Sequence, residues 1–230
     1  MKIITLKEVD STNEYLKREY QRLPVHACVI AQRQTAGKGR RGHVWQSQDY
    51  QNMTVSFLYK DIHDIQDCWK YTLIAAKSVV EFLKAEGIQS TIKWPNDIYV
   101  YDLKICGILV ETILDPDLKG IIVGIGLNVN HAYPYLCMKD ITQKRYDISQ
   151  LLLQLIHFFN KNIELYQNHQ FDDILKYTNL HAYLKNKWVH YKNYGFVRFI
   201  KVTQQGLIEF EDRNHHVYQE MINEISLARS

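Results

Sequence analysis

The stretch Gly37-Lys38-Gly39-Arg40-Arg41-Gly42 holds three of the chain's ten glycines together with three cations. Glycine lets a backbone approach a ligand closely. Cations and free backbone N–H groups in such a loop form a nest for anions. The spacing fits GxGxxG, but a dinucleotide fold needs that loop to open directly into a helix. Here the chain runs on into His43-Val44-Trp45-Gln46-Ser47 and then a strand pattern. It is no P-loop either, because His43 follows Gly42 where Lys and Ser or Thr are required. From the loop alone two readings stay open: a solvated surface turn, or a cationic lid over an anionic ligand.

Other polar groups keep company with it. Lys93-Trp94-Pro95-Asn96-Asp97 gathers a cation, an aromatic face and a carboxylate around one turn. Lys104 opens a long apolar run that leads through Gly107 to Glu111, and Gly126-Leu127-Asn128-Val129-Asn130 ends another with amides. Each has a plain structural alternative: an Asx turn at Asp97, an exposed strand end at Lys104, a turn former at Asn128. Polar groups on loops beside glycines are also the usual make-up of a ligand site. The sequence offers no Ser/His/Asp set and no reactive cysteine context. Cys28, Cys68, Cys106 and Cys137 are far apart and form no CxxC pair, so reduced, buried thiols in a cytoplasmic protein are expected.

The elements that must position these groups follow from periodicity. Strands are expected at Lys2 to Val9, Ala27 to Gln32 and Met53 to Tyr59. A helix from Asn13 to about Gln21 starts at Ser11, which can cap it, with Glu14 closing a capping box. A longer helix runs from a cap at Asp67 to Glu86, with Trp69, Leu73, Ala76, Val80 and Leu83 on a core stripe and Gly87 at its end. Residues 91 to 129 read as an antiparallel meander: Thr91 to Trp94, Ile98 to Val100, Ile105 to Ile113 and Ile121 to Val129. Gly124 and Gly126 lie inside the last strand, which signals close approach of a neighbour or ligand. His131 to Tyr146 reads as irregular loop. Helices are expected from Ser149 to about Tyr166 and from Phe171 to Tyr177. After a boundary near residue 181, short strands (Trp188 to Tyr191, Phe196 to Val202, Leu207 to Phe210, Val217 to Tyr218, Ile225 to Leu227) suggest a small β-barrel.

Composition narrows the class. With 230 residues, 46% of them hydrophobic, the chain can bury a real core in a main domain plus a small one. A net charge of +3 spread along the chain is not the concentrated basic face of a nucleic-acid protein. No signal peptide or membrane-length apolar run is present, so no membrane partner is expected.

The ordered motifs resemble the biotin–protein ligase (biotin–acetyl-CoA-carboxylase ligase) family. They are Asp10-Ser11-Thr12-Asn13, the Gln34 to Gly42 stretch with Trp45, Lys93 to Asp97, Lys104 to Glu111, and Gly124 to Val129. The resemblance implies an α+β fold: a mixed, largely antiparallel sheet flanked by helices, of the class II synthetase-like kind, over residues 1–181. A small SH3-like C-terminal barrel at 182–230 would follow. It implies that biotin and MgATP give biotinyl-5′-AMP, and that a lysine of a biotin carboxyl carrier protein then attacks this anhydride. Carried over by position, Ser11, Thr12, Asn13, Gln34 and the backbone at Gly107 and Leu109 would hold biotin. Lys38, Gly39, Arg40, Arg41, Trp45, Lys93 and Asn128 would surround the adenylate, with Lys104, Arg40 and Lys38 as the catalytic cations. Asp97 would meet Mg²⁺ or the carrier lysine, and no dedicated protein-ligated metal site is implied.

Lys38 stands where the family usually has Arg, which keeps charge but loses the bidentate fork. His43 stands where a further Arg is common, and Arg229 lies one position beyond an arginine that some members direct at ATP. No room precedes Asp10 for a DNA-binding winged helix, so a monofunctional enzyme that binds no DNA is expected. Open strand edges allow a homodimer. The alternatives are a lipoate–protein ligase or octanoyltransferase, which shares the fold class, and a non-catalytic biotin- or nucleotide-binding module.

Overall fold

A computed structural model describes residues 1–46, 51–60, 62, 68–115, 118–132 and 135–221. Its frame is a seven-stranded sheet in the order β1-β2-β3-β7-β6-β5-β4. The strands are β1 (Lys2–Val9), β2 (His26–Gln34), β3 (Asn52–Tyr59), β4 (Thr91–Lys93), β5 (Asp97–Val100), β6 (Leu103–Leu114) and β7 (Leu118–Asn128). Only β1 and β2 pair in parallel, because helix α1 (Thr12–Glu19) carries the chain back between them. Every other neighbouring pair is antiparallel, and residues 91 to 128 form the meander that their short polar turns predict.

Period-2 alternation assigns the two faces of the sheet. Odd positions of β3 and β7, such as Val55, Phe57, Val123 and Ile125, join the main hydrophobic cluster under helix α2 (Cys68–Ala85). The predicted stripe of α2 is buried, Trp69 included. The helix is covered on its far side as well, by α4 (Ile148–Gln167) and α5 (Phe171–Leu180), so even Lys77 is buried and pairs with Glu81 at 2.7 Å. Gly87, at φ +79°, ends α2 in the left-handed region that glycine tolerates.

The opposite face carries Leu58, Ile113 and Ile122, packed beneath Leu16 of α1. Further along this face the side chains shrink to Gly124 and Gly126 on β7 and Gly107 on β6, and Gly107 sits directly opposite Gly126. Helix α1 covers one half of the face, and the glycines hollow the other half.

Several expectations need correction. Ser11 sits at the N-cap of α1 but makes no side-chain capping bond, so the Ser11–Glu14 capping box does not form. Glu14 turns to lysines instead. Helix α4 is capped by Asp147, whose carboxylate accepts from the Ser149 and Gln150 N–H groups, rather than by Ser149. An ionised acceptor makes the stronger bond to a helix N-terminus. The expected loop at 131 to 146 contains a one-turn helix α3 (Met138–Thr142), too short to show a period. The expected Asp67 cap, the last strand at Ile225 to Leu227, and Arg229 lie outside the described residues.

The C-terminal sheet has four strands in the order β11-β10-β9-β8: β8 (Trp188–His190), β9 (Phe196–Val202), β10 (Leu207–Asp212) and β11 (Val217–Met221). The chain enters it along β4, where Ile92 donates to His181 O and accepts from Tyr183 N–H, both at 2.8 Å. Trp94 meets Phe199 edge-on with centroids 6.5 Å apart, and both belong to the main hydrophobic cluster.

Candidate active site

The hollowed half of the sheet is a cleft of about 570 Å³. Every residue singled out as a site candidate lines it: Ser11, Thr12, Asn13, Gln34, Lys38, Gly39, Arg40, Arg41, Trp45, Lys93, Asp97, Lys104, Gly107, Leu109 and Asn128. Their chemistry divides along its length.

At the α1 end the cleft lining is uncharged and largely buried. Ser11, Thr12 and Asn13 open the helix and are almost inaccessible to water. Gln34, at the end of β2, presents Oε1 to the Thr12 N–H at 2.8 Å and to Thr12 Oγ1 at 3.0 Å. Ser56 on β3 is fully buried, with its hydroxyl 2.6 Å from Thr12 Oγ1 and 2.5 Å from Asn13 Oδ1. Asn13 Nδ2 donates to Glu111 at 2.7 Å, and Lys17 binds the other Glu111 oxygen at 2.7 Å. A Cβ at Gly124 would lie 2.5 Å from Asn13 Oδ1, so glycine there makes room for the asparagine.

At the other end the groups are cationic. The glycine stretch folds as a hairpin: Lys38 bridges Val44, Gly39 N–H donates to His43 O at 2.7 Å, and Trp45 N–H donates to Gly37 O at 2.9 Å. Arg41 (φ +55°) and Gly42 (φ +78°) turn its tip. The hairpin delivers the Trp45 ring onto the sheet glycines, where a side chain at Gly126 would overlap the indole. Lys104 Nζ lies 5.8 Å from the centroid of that ring and 2.7 Å from Asp97 Oδ1. Arg40 donates to Asn96 Oδ1 at 3.1 Å, and burial together with neighbouring Arg41 lowers its pKa. Lys38 is 2.9 Å from Glu14, whose pKa is lowered by bonds from Lys38 and Lys17. Lys93 is buried against the Tyr99 ring, its Nζ 4.8 Å from the centroid and 3.3 Å from the hydroxyl. Asn128 donates to Leu136 O at 3.1 Å.

The buried thiols of Cys28 and Cys106 are pushed up by burial, Cys28 to about 12, so neither is a thiolate near neutral pH. Among the described residues no group of three or more His, Cys, Asp or Glu could hold a metal ion. No helix there is long and apolar enough to cross a membrane. The arrangement can bind a small polar head deep under α1 and neutralise negative charge beneath the hairpin.

A family model described as the biotin/lipoate A/B protein ligase family matches residues 5–128, which is more than half of the chain. The chain belongs to that family. Among curated members, the bifunctional ligase/repressor BirA of Bacillus subtilis (strain 168) is 34% identical over 163 residues, covering 66% of this chain and 50% of the relative. The human biotin–protein ligase is 37% identical over 123 residues, 49% of this chain and 16% of the relative. The chain thus spans half or less of the length of these relatives. Among solved structures, the biotin protein ligase from Aquifex aeolicus in complex with biotin and ATP superimposes with a TM-score of 0.86 at 27% identity, over 100% of this chain and 99% of that one.

Some residues that line or support the cleft escaped the sequence reading. Ser56 and Glu111 had no assigned role, Asn96 was only a turn residue, and Glu14 was read as a cap. Glu111 carried a usable signal: a charge in the apolar run Ile105 to Ile113, on the same face as Gly107.

Proposed function

We propose that the protein joins biotin to a lysine of a biotin carboxyl carrier protein through biotinyl-5′-AMP. The observation that carries the reading is one cleft with buried neutral hydrogen-bonding groups at one end and convergent cations at the other. A cyclic urea fits the first end, where Ser11 can donate to its carbonyl and Thr12 and Gln34 can accept from its N–H groups. Leu109 and the Gly107 backbone flank the bicycle and its chain. A carboxylate and phosphates fit the second end. Lipoate or octanoate offers nothing to the buried Thr12 and Asn13 or to Gln34 beside them, which favours biotin within this family.

In the first step a carboxylate oxygen of biotin attacks the α-phosphorus of ATP, which enters as MgATP. The bond to the β-phosphate breaks and pyrophosphate leaves. Lys104 bridges the carboxylate and the α-phosphate, while Lys38 and Arg40 neutralise the charge that builds up. Gly39, Arg41, Lys93 and Asn128 surround the nucleotide. In the second step the carrier lysine's amine attacks the acyl carbon, the C–O bond to phosphate breaks and AMP leaves. Asp97, 2.7 Å from Lys104, is the group we assign to Mg²⁺ or the incoming lysine. The substrates supply the nucleophile in both steps, so the protein must position, neutralise and exclude water; the Trp45 hairpin serves the last task. The C-terminal sheet belongs to a small SH3-like unit, 182–230, beside the catalytic unit 1–181.

The test is exchange of labelled pyrophosphate into ATP. Exchange should require biotin. No exchange, or exchange supported by lipoate or octanoate in its place, sinks the reading.

A further inference from the structure

Asn13 and Lys17 stand four residues apart on α1, so they share a helix face. Both reach the same group on the sheet. Asn13 Nδ2 donates to Glu111 Oε2 at 2.7 Å, and Lys17 Nζ meets Glu111 Oε1 at 2.7 Å. Glu111 shares a face of β6 with Gly107 and Leu109 by alternation. Those two line the cleft, whereas Glu111 does not. It stands behind Asn13, which lines the cleft and is 3% exposed.

A carboxamide has nearly the same shape after a half-turn about its last bond, so its partners decide which end faces where. The Ser56 hydroxyl, 2.5 Å from Asn13 Oδ1, can serve either end, because it can donate or accept. The Glu111 carboxylate, paired with the Lys17 ammonium, only accepts. Leu109 O, 3.5 Å from Nδ2, is an acceptor on the same side. These acceptors draw Nδ2 away from Ser56 and turn Oδ1 toward it. Oδ1 then also faces Gly124 on the cleft wall, where a Cβ would lie 2.5 Å from it. Lys17 meets Glu14 as well, at 2.9 Å, so the counter-charge of Glu111 is itself held in place.

We infer that Glu111 is a positioning residue for recognition at the neutral end. Acting through Asn13, it holds the carboxamide with its oxygen toward Ser56 and Gly124 and its nitrogen turned away. Without that acceptor, Ser56 can satisfy the amide in either orientation, and a ligand meets a wall whose polarity is no longer fixed. What Glu111 supplies to recognition is therefore an acceptor for Nδ2 rather than its charge. The inference rests on the biotin reading above and names a residue outside the cleft lining on which that reading's affinity depends.

The test titrates biotin and ATP into wild type, Glu111→Met, Glu111→Gln, Asn13→Ala and Glu111→Met/Asn13→Ala. Glu111→Met keeps the length of the side chain and removes the acceptor. Biotin affinity should weaken roughly five- to hundredfold, the range expected for one mismatched buried polar group. The loss should appear in KM for biotin, while kcat at saturating biotin and ATP affinity hold. Glu111→Gln removes the charge but keeps a carbonyl oxygen for Nδ2, and should recover most of the loss. In the Asn13→Ala background, Glu111→Met should cost nothing more. Unchanged biotin affinity in Glu111→Met, or an undiminished loss in the Asn13→Ala background, would overturn the inference and leave the ligase reading intact. So would Glu111→Gln as weak as Glu111→Met, which would mark a role for the charge. A parallel loss of ATP affinity would mark a general structural role and overturn it too. Wild-type protein that binds no biotin would overturn the ligase reading itself, and the inference with it.

Discussion

The two ends of the cleft are built on opposite principles. The neutral end draws on α1, β2, β3 and β6; Thr12, Asn13 and Ser56 are buried, and the groups bond to one another and to the Glu111 carboxylate behind them: Gln34 to Thr12, Ser56 to Asn13, Asn13 to Glu111. Little has to move for a ligand to find the groups in place. The cationic end sits on a hairpin and two turns, and each of its chief cations rests on a protein group: Lys38 on Glu14, Arg40 on Asn96, Lys104 on Asp97. These are half-exposed pairs, and such pairs are weak. They keep the cations near the cleft at small cost until a substrate with more negative charge competes for them. Under the proposed function, recognition falls to the packed fold, and charge neutralisation to a hairpin and two turns.

Substitutions on each side can break or sharpen that division. Lys104→Ala carries the largest expected effect. Biotin-dependent pyrophosphate exchange should fall at least ~10²-fold, the loss typical of removing one preorganised electrostatic group. Biotin affinity should change little, because Lys104 stands outside the neutral network. Near-normal exchange would remove its assigned role, and an equal loss of biotin affinity would erase the boundary between the ends.

Gly124→Ala is the reciprocal change. Its Cβ would lie 2.5 Å from Asn13 Oδ1, so Asn13 must shift. Overpacking at such a site costs about 1–3 kcal/mol. Biotin affinity, read by calorimetry, should drop about tenfold or more while ATP affinity holds. Loss of both ligands together would show that the ends are not independent.

The smallest effect lies beneath α1. Two bonds from Arg18, at 2.6 and 2.9 Å, hold the Asp10 carboxyl down from the usual 3.8 to about 2. A depressed carboxyl stabilises the fold above its unfolded pKa and loses that contribution as pH falls through the folded value. The wild-type advantage should therefore be complete above about pH 4 and fade toward pH 2. The pair is exposed, so Asp10→Asn should lower Tm near neutral pH by only ~1–3 °C. A variant whose Tm still tracks wild type from pH 4 down to 2 would remove Asp10 from this account.

Local pattern made most of the frame legible. Period 2 placed the strands of the meander, and the 3.6-residue period placed the buried stripe of α2, because both depend only on neighbours along the chain. The glycines of β7 marked the hollow correctly, since a missing side chain on an otherwise apolar face leaves space. Most failures came where partners lie far apart in sequence. Glu14 has the spacing of a capping box, yet Lys38 reaches it from the hairpin that follows β2. Ser149 has the residue type of a cap, yet the helix starts one residue earlier and Asp147, a local competitor, accepts from the Ser149 and Gln150 N–H groups. Ser56 looked like any serine in a buried strand, because nothing near it in sequence hints at Thr12 or Asn13.

By itself, then, the sequence determined which residue types would have to meet: a cationic glycine stretch, a Lys-Trp-Pro-Asn-Asp turn, a lysine before a long strand, and polar groups at a helix start. It also determined the alternation that puts Gly107, Leu109 and Glu111 on one face of β6. Only the tertiary structure decided that α1 would cover half of that face and leave the glycine half open. It alone decided which acceptor each cation rests on, and that the Ser56 hydroxyl meets both Thr12 and Asn13. Periodicity is a property of neighbours along the chain, whereas hydrogen-bond direction and charge pairing depend on distances that exist only once the strands are side by side.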